Sequence, residues 1–172
     1  MYYGSVASEV QFSMTDAAAR RLTLLYQLFV THQATRRFMR LALAGSDISG
    51  EEYALYSYLF ANGSRSLSQA ARDLGWPMTT LSTMLQPLVE SGQLGRVAHP
   101  RDRRSRLLTL TDAGRERLQS AIPGFTAAYR QVLRQLDDGG AEVAVIDAAL
   151  GSLRAAVERT NDLLAAEAGE RS

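Results

Sequence analysis

Residues 67–96 read LSQAARDLGWPMTTLSTMLQPLVESGQLGR, and residues 99–114 read HPRDRRSRLLTLTDAG. These two stretches decide the fold. Ser66 to Gly75 has the pattern of a short helix: Ser66 or Ser68 caps it, Ala70, Ala71 and Leu74 form its apolar side, and Gly75 ends it. A turn of one or two residues leads into a second helix over Pro77–Ser91, with proline in the first turn, where its missing N–H has no intrahelical partner to lose. Leu81, Met84, Leu85 and Leu88 make the buried stripe of that helix. Thr79, Ser82, Thr83 and Gln86 lie opposite, a row of neutral hydrogen-bonding side chains joined by Thr80. Pro87 is the misfit, because it removes a hydrogen bond to the Thr83 carbonyl and crowds it, at about 3 kcal/mol in a helix interior. Either the helix kinks there or tertiary packing compensates.

A hairpin follows. Leu94–Ala98 and Arg106–Leu110 have strand length, and the polar HPRDRRS joins them. Thr111-Asp112-Ala113-Gly114 reads as the cap of a long helix, which Pro123-Gly124 is expected to interrupt before it resumes to about Leu136. Asp137-Asp138-Gly139-Gly140 forms a turn, and Val143, Ile146, Leu150, Leu153, Val157 and Leu164 share one face of the last helix. Residues 167–172 are expected to fray. On the other side, a long helix runs from about Met14 to Leu43, capped by Ser13 or Thr15 and carrying Leu22, Leu25, Phe29 and Val30. A second helix begins near Ser49 with Glu51 and Glu52 at its positive end, and stops at Asn62-Gly63.

The whole is a mostly α chain with a small β-hairpin wing: a winged helix-turn-helix flanked by long dimerisation helices. It divides into an N-terminal dimerisation helix (1–48), a winged lobe (49–112) and C-terminal dimerisation helices (113–172). The end helices carry more apolar surface than a small central lobe can cover, and a two-fold homodimer would bury it.

Charge is distributed unevenly. The 172 residues carry a net +1, yet residues 62–117 hold nine arginines against five acids, and residues 118–172 five against eight. Every basic residue is arginine. Arg96, Arg101, Arg103, Arg104 and Arg106 crowd together against Asp102 alone. A charge run by itself is usually a solvated face, but this one sits in the loop and flanks of a hairpin directly after a two-helix motif. Helix, turn, helix and basic wing is the order in which a protein places hydrogen-bonding side chains in a major groove about 12 Å wide and arginines on phosphates or the minor groove.

Several function classes are excluded. There are no cysteines, so disulfides, thiolate nucleophiles, thiol redox sensing and cysteine zinc sites are absent. His32 and His99 alone do not build a usual structural zinc site. No nucleophile–base pair, carboxylate pair or phosphate-binding glycine loop is present, which argues against catalysis and against a cofactor. No apolar run reaches the length of a membrane span, and MYYGSVASEV lacks the basic start of an export signal, so a cytoplasmic location is expected.

The quoted segments resemble the MarR family of winged helix-turn-helix transcription regulators: residues 99–114 its wing and following helix cap, and residues 67–96 its helix-turn-helix up to the first wing strand. The resemblance implies a homodimer on a pseudo-palindromic double-stranded DNA operator, with Pro77–Ser91 as recognition helix. It also implies that Asp102 positions a wing arginine and that Arg104 is the wing arginine, with Arg103 at the tip. Thr83 and Pro87 depart from the family pattern, since relatives often carry arginine there, so base-reading rules from relatives do not transfer. Many relatives bind a small aromatic or anionic effector between their dimerisation helices and DNA-binding lobe. Tyr26, Phe29, His32, Arg36, Arg37, Tyr53 and Trp76 occupy the corresponding segments, although each taken singly reads as core packing. The competing class is a helical protein-interaction module that uses the winged-helix shape without DNA; the wing arginines weigh against it.

Overall fold

The computed structural model describes residues 16–100, 106–136 and 141–169. Capping chemistry sets the element boundaries. Helix α1 spans Asp16–Ala42, and its expected caps, Ser13 and Thr15, lie outside the described residues. Helix α2, Gly50–Asn62, starts on a reciprocal pair: the Glu52 N–H donates to Ser49 Oγ at 3.1 Å and the Ser49 N–H to Glu52 Oε2 at 2.7 Å. It stops at Gly63, whose φ of 71° is open to glycine at little cost. Helix α3, Leu67–Leu74, repeats the device with Ser66 and Gln69, which selects Ser66 as its cap.

Helix α4 covers Met78–Glu90. Pro77 stands at its N-cap, one position earlier than expected. Strands β2 (Leu94–Ala98) and β3 (Arg106–Leu110) occupy the expected residues and pair antiparallel, Leu94 opposite Leu110 and Arg96 opposite Leu108. The sheet has a third member that sequence reading misses. Arg65–Ser66 forms β1 on the other side of β3, giving the order β1-β3-β2. Two residues are too short to show the alternation by which strands are recognised.

Helix α5, Asp112–Gln135, runs through Pro123 without the expected break. A proline removes one backbone hydrogen bond, the Pro123 ring faces solvent, and the helix continues on both sides. Helix α6 is Ala141–Gly169 and persists past the point where fraying is expected. The Asp137–Gly140 turn lies outside the described residues.

The chain divides into two units, Met1–Ala121 and Ile122–Ser172. The first holds the core: Leu55, Tyr56 and Leu59 of α2, Ala70 and Ala71 of α3, Leu81, Leu85 and Leu88 of α4, Leu94, Leu108 and Leu110 of the sheet, and Leu118 and Ala121 of α5. Each fully buried leucine contributes roughly 1.5–3 kcal/mol of transfer free energy, so α4 is held by its leucine stripe, while α3 packs closely through the small side chains of Ala70 and Ala71. The second unit contains the rest of α5, where Phe125 and Tyr129 stack with ring centroids 6.1 Å apart, and α6. Among the described residues, no helix is long and apolar enough to cross a membrane.

Candidate nucleic-acid interface

The α3–α4 turn is built by Gly75. Its left-handed φ of 67° and ψ of 28° let its own N–H bond the Arg72 carbonyl at 3.1 Å and the Trp76 N–H bond the Ala71 carbonyl at 2.8 Å. From Pro77, α4 then leaves with Leu81, Leu85 and Leu88 turned inward and buried. Met84 is half-buried.

Thr79, Thr80, Ser82, Thr83 and Gln86 are all exposed on α4. Their hydrogen-bonding capacity is less even than their composition suggests. Thr83 Oγ1 donates to the Thr79 carbonyl at 3.0 Å, so that hydroxyl offers lone pairs and a methyl group outward rather than a proton. Gln86 Nε2 donates to Glu90 Oε1 at 2.9 Å. Glu90, which the sequence reading did not name, stands at i,i+4 spacing from Gln86, the spacing at which helical side chains meet. Thr79, Thr80, Thr83 and Met84 line an open hollow of about 450 Å³ on this helix.

Pro87 is exposed within a continuous α4. Its neighbours Leu85 and Leu88 are buried, and Ser91 places both its N–H (3.0 Å) and its hydroxyl (2.7 Å) on the Pro87 carbonyl.

In the wing, Arg96 on β2 and Arg106 on β3 are exposed. Register puts Arg106 opposite Ala98 at the loop end of the hairpin. Arg101, Asp102, Arg103 and Arg104 lie outside the described residues.

Beside the helix-turn-helix lies a cavity of about 740 Å³. Its walls come from α1 (His32, Arg36, Arg40), α2 (Glu51, Ala54), the turn (Trp76, Pro77) and the edge of the exposed face of α4 (Thr80, Met84). Arg36 Nη2 reaches Glu51 Oε1 at 3.6 Å, both side chains about half exposed, so the pair is weak. Of the residues expected to form a pocket, the lining takes His32, Arg36 and Trp76 and leaves out Tyr26, Phe29, Arg37 and Tyr53. Tyr26 and Phe29 are exposed, and they precede His32 along α1 by about 9 Å and 4.5 Å at the helical rise. Tyr53 is half-buried within α2, its pKa raised by burial against a hydrogen bond with Ser57. Arg40, Thr80 and Met84 join the lining unforeseen, because only the packing of α1, α2 and α4 brings them together.

Two contacts brace this lobe. The Tyr58 hydroxyl donates to Asp73 Oδ2 at 2.6 Å, fastening α3 to α2. The buried Tyr56 hydroxyl donates to Gln93 Oε1, and burial, helped by the Glu52 charge and opposed by Arg117, pushes its pKa up to about 12.

Comparison with known proteins gives a consistent fold. No protein-family model matches the chain. It is 27% identical over 128 residues to an uncharacterised HTH-type transcriptional regulator, YhbI, of Bacillus subtilis (strain 168), covering 72% of this chain and 82% of that protein. The crystal structure of a cysteine-to-serine mutant of MarR from E. coli, complexed with operator DNA, superposes with a TM-score of 0.68 at 20% identity, covering 81% of this chain and 99% of that one. The transcriptional repressor CouR bound to a 23-mer DNA duplex gives a TM-score of 0.63 at 25% identity, covering 84% and 99%.

Proposed function

We propose that the chain is a member of the MarR family of winged helix-turn-helix proteins, a DNA-binding transcriptional regulator that works as a homodimer on a two-half-site operator; the likeness to the operator-bound MarR and CouR structures and to an HTH-type regulator supports this reading. The observation that carries this reading is the outward face of α4: Thr79, Thr80, Ser82, Thr83 and Gln86, exposed together on a helix whose other side is locked in the core. That face enters the major groove and reads base edges, while Arg96, Arg101, Arg103, Arg104 and Arg106 meet phosphates or the minor groove, Asp102 orienting a wing arginine. The relatives are regulators rather than enzymes, which agrees with the lack of a catalytic constellation in the sequence.

Dimerisation is supported by uncovered apolar side chains. On α1, Leu24, Leu25, Tyr26 and Phe29 are each more than half exposed, and on α6 Val145, Leu163 and Leu164 are too. Residues 1–48 and 113–172 supply the dimer contacts and residues 49–112 the DNA contacts. The cavity of about 740 Å³, lined by Trp76 beside His32, Arg36 and Arg40, fits a small aromatic anion as an effector.

Selection of bound duplexes from a random pool tests the reading. Recovered sites should contain two half-sites about one helical turn apart. Affinity should fall with salt at a log–log slope of roughly −0.9 per phosphate neutralised. Failure to retain any duplex, or a flat salt response, overturns it and favours the protein-interaction alternative.

A further inference from the structure

We infer that Glu90 is a positioning residue for base reading: by holding Gln86 it turns an ambiguous amide into one that selects adenine over guanine. The inference rests on the proposal that α4 reads DNA and deepens it at one contact. A glutamine amide has two N–H donors on nitrogen and a carbonyl acceptor. Adenine shows N7, an acceptor, and N6–H₂, a donor, in the major groove; guanine shows two acceptors, N7 and O6. A free Gln86 could meet adenine with one N–H and its carbonyl, or turn its NH₂ toward guanine with both N–H groups.

The contact at 2.9 Å from Gln86 Nε2 to Glu90 Oε1 removes that choice. A carboxylate only accepts, so it bonds the nitrogen end of the amide and repels the oxygen end. One N–H is then used within the protein. What remains outward is one donor and one acceptor, the complement of adenine. Both residues are exposed on α4, one helical turn apart, and among the described residues no arginine forms an ion pair with Glu90. A carboxylate beside the reading face works against phosphate attraction, so the usefulness of this position lies in what it orients.

Three variants, Gln86→Ala, Glu90→Ala and Glu90→Gln, separate orientation from charge when titrated against the selected operator and against the same duplex with A·T changed to G·C at the position Gln86 reads. The Gln86→Ala titration identifies that position. Glu90→Ala should lower the adenine-over-guanine ratio there by about tenfold, the scale of one bidentate contact, while binding to both duplexes persists. Glu90→Gln keeps a carbonyl acceptor for Gln86 Nε2; it should retain most of the ratio and bind both duplexes more tightly, having lost a negative charge. If both Glu90 variants bind more tightly with the ratio unchanged, Glu90 is only a charge and the inference fails. If Glu90→Ala instead alters preference at a neighbouring base pair, Glu90 reads a base itself and the inference also fails. A wild-type protein that binds no duplex would overturn the DNA-binding proposal and, with it, this inference. A wild-type protein that binds with a base preference, unmoved by Glu90→Ala, overturns this inference alone.

Discussion

The Gln93 carbonyl accepts two hydrogen bonds from Thr111, one from its backbone N–H at 3.2 Å and one from its hydroxyl at 2.8 Å. The same hydroxyl also approaches the Gly92 carbonyl at 2.7 Å and accepts the Gly114 N–H at 3.1 Å as the cap of α5. Gln93 in turn bonds the Leu88 carbonyl through its own N–H at 2.9 Å. One threonine therefore ties the end of α4, the start of β2 and the start of α5 together. Thr111→Val keeps the shape and removes the hydroxyl. Loss of the cap and of its carbonyl partner should lower stability by about 1–2 kcal/mol. The measurement is the urea midpoint at fixed protein concentration, with the denaturant slope unchanged.

Gly114 sits at the same junction. A Cβ there would overlap the Gln93 carbonyl oxygen, a backbone atom that cannot move without shifting β2. Inside a helix, replacing glycine by alanine ordinarily stabilises by about 0.5–1 kcal/mol. Here the sign should reverse: Gly114→Ala is expected to destabilise by roughly 1–3 kcal/mol, as overpacked sites do. An unfolding midpoint at or above wild type would show that α5 does not press on β2 in solution.

The Tyr58–Asp73 contact gives a pH signature. Burial first, then the hydrogen bond and charge of Asp73, push the Tyr58 pKa from the ordinary 10.0 to about 12, with Arg65 opposing. The folded value lies above the unfolded one, so the stability this phenol contributes is complete below pH 10 and is lost as pH rises through about 12. Tyr58→Phe should be less stable than wild type at neutral pH, and the gap should close across that alkaline window. A gap that stays constant from neutral to strongly alkaline pH would show that the hydroxyl is not bonded to Asp73.

How much of this was legible in the sequence follows from the range of the physics involved. The two wing strands, the start of α2 near Ser49 and the cap at Thr111 depend on residues a few positions apart and stand where local pattern puts them, and of Ser66 and Ser68 the first caps α3. β1 is invisible locally because Arg65-Ser66 becomes a strand only by pairing with Leu107 and Leu108. The break expected at Pro123 is not seen: α5 runs as one helix of 24 residues, which absorbs both the lost hydrogen bond and the crowding of the carbonyl one turn earlier. The cavity was half legible: His32, Arg36 and Trp76 were within reach of residue type, whereas Arg40, Thr80 and Met84 depend on how three helices pack. The Gln86–Glu90 contact depends on the rotamers of two exposed side chains, which i,i+4 spacing permits but does not fix.

The wing offers the sharpest electrostatic test of the DNA-binding proposal. Arg103 and Arg104, between β2 and β3 in the sequence, would meet phosphates or minor-groove walls. Alanine at either should weaken binding to specific and scrambled duplexes alike, and flatten the salt slope by about one unit per lost phosphate contact. Gln86→Ala should act differently, costing affinity for the preferred sequence and relaxing one symmetric pair of positions. Asp102→Ala separates two accounts of the wing. If Asp102 orients the Arg104 guanidinium, its loss should partly mimic Arg104→Ala even though a negative charge near DNA is removed. Coulomb attraction alone predicts the opposite sign, tighter binding, because the local charge becomes more positive. Titrating the four variants against both duplexes at two salt concentrations distinguishes them, and tighter binding by Asp102→Ala would mean that the wing acts as a charge patch without a positioned arginine.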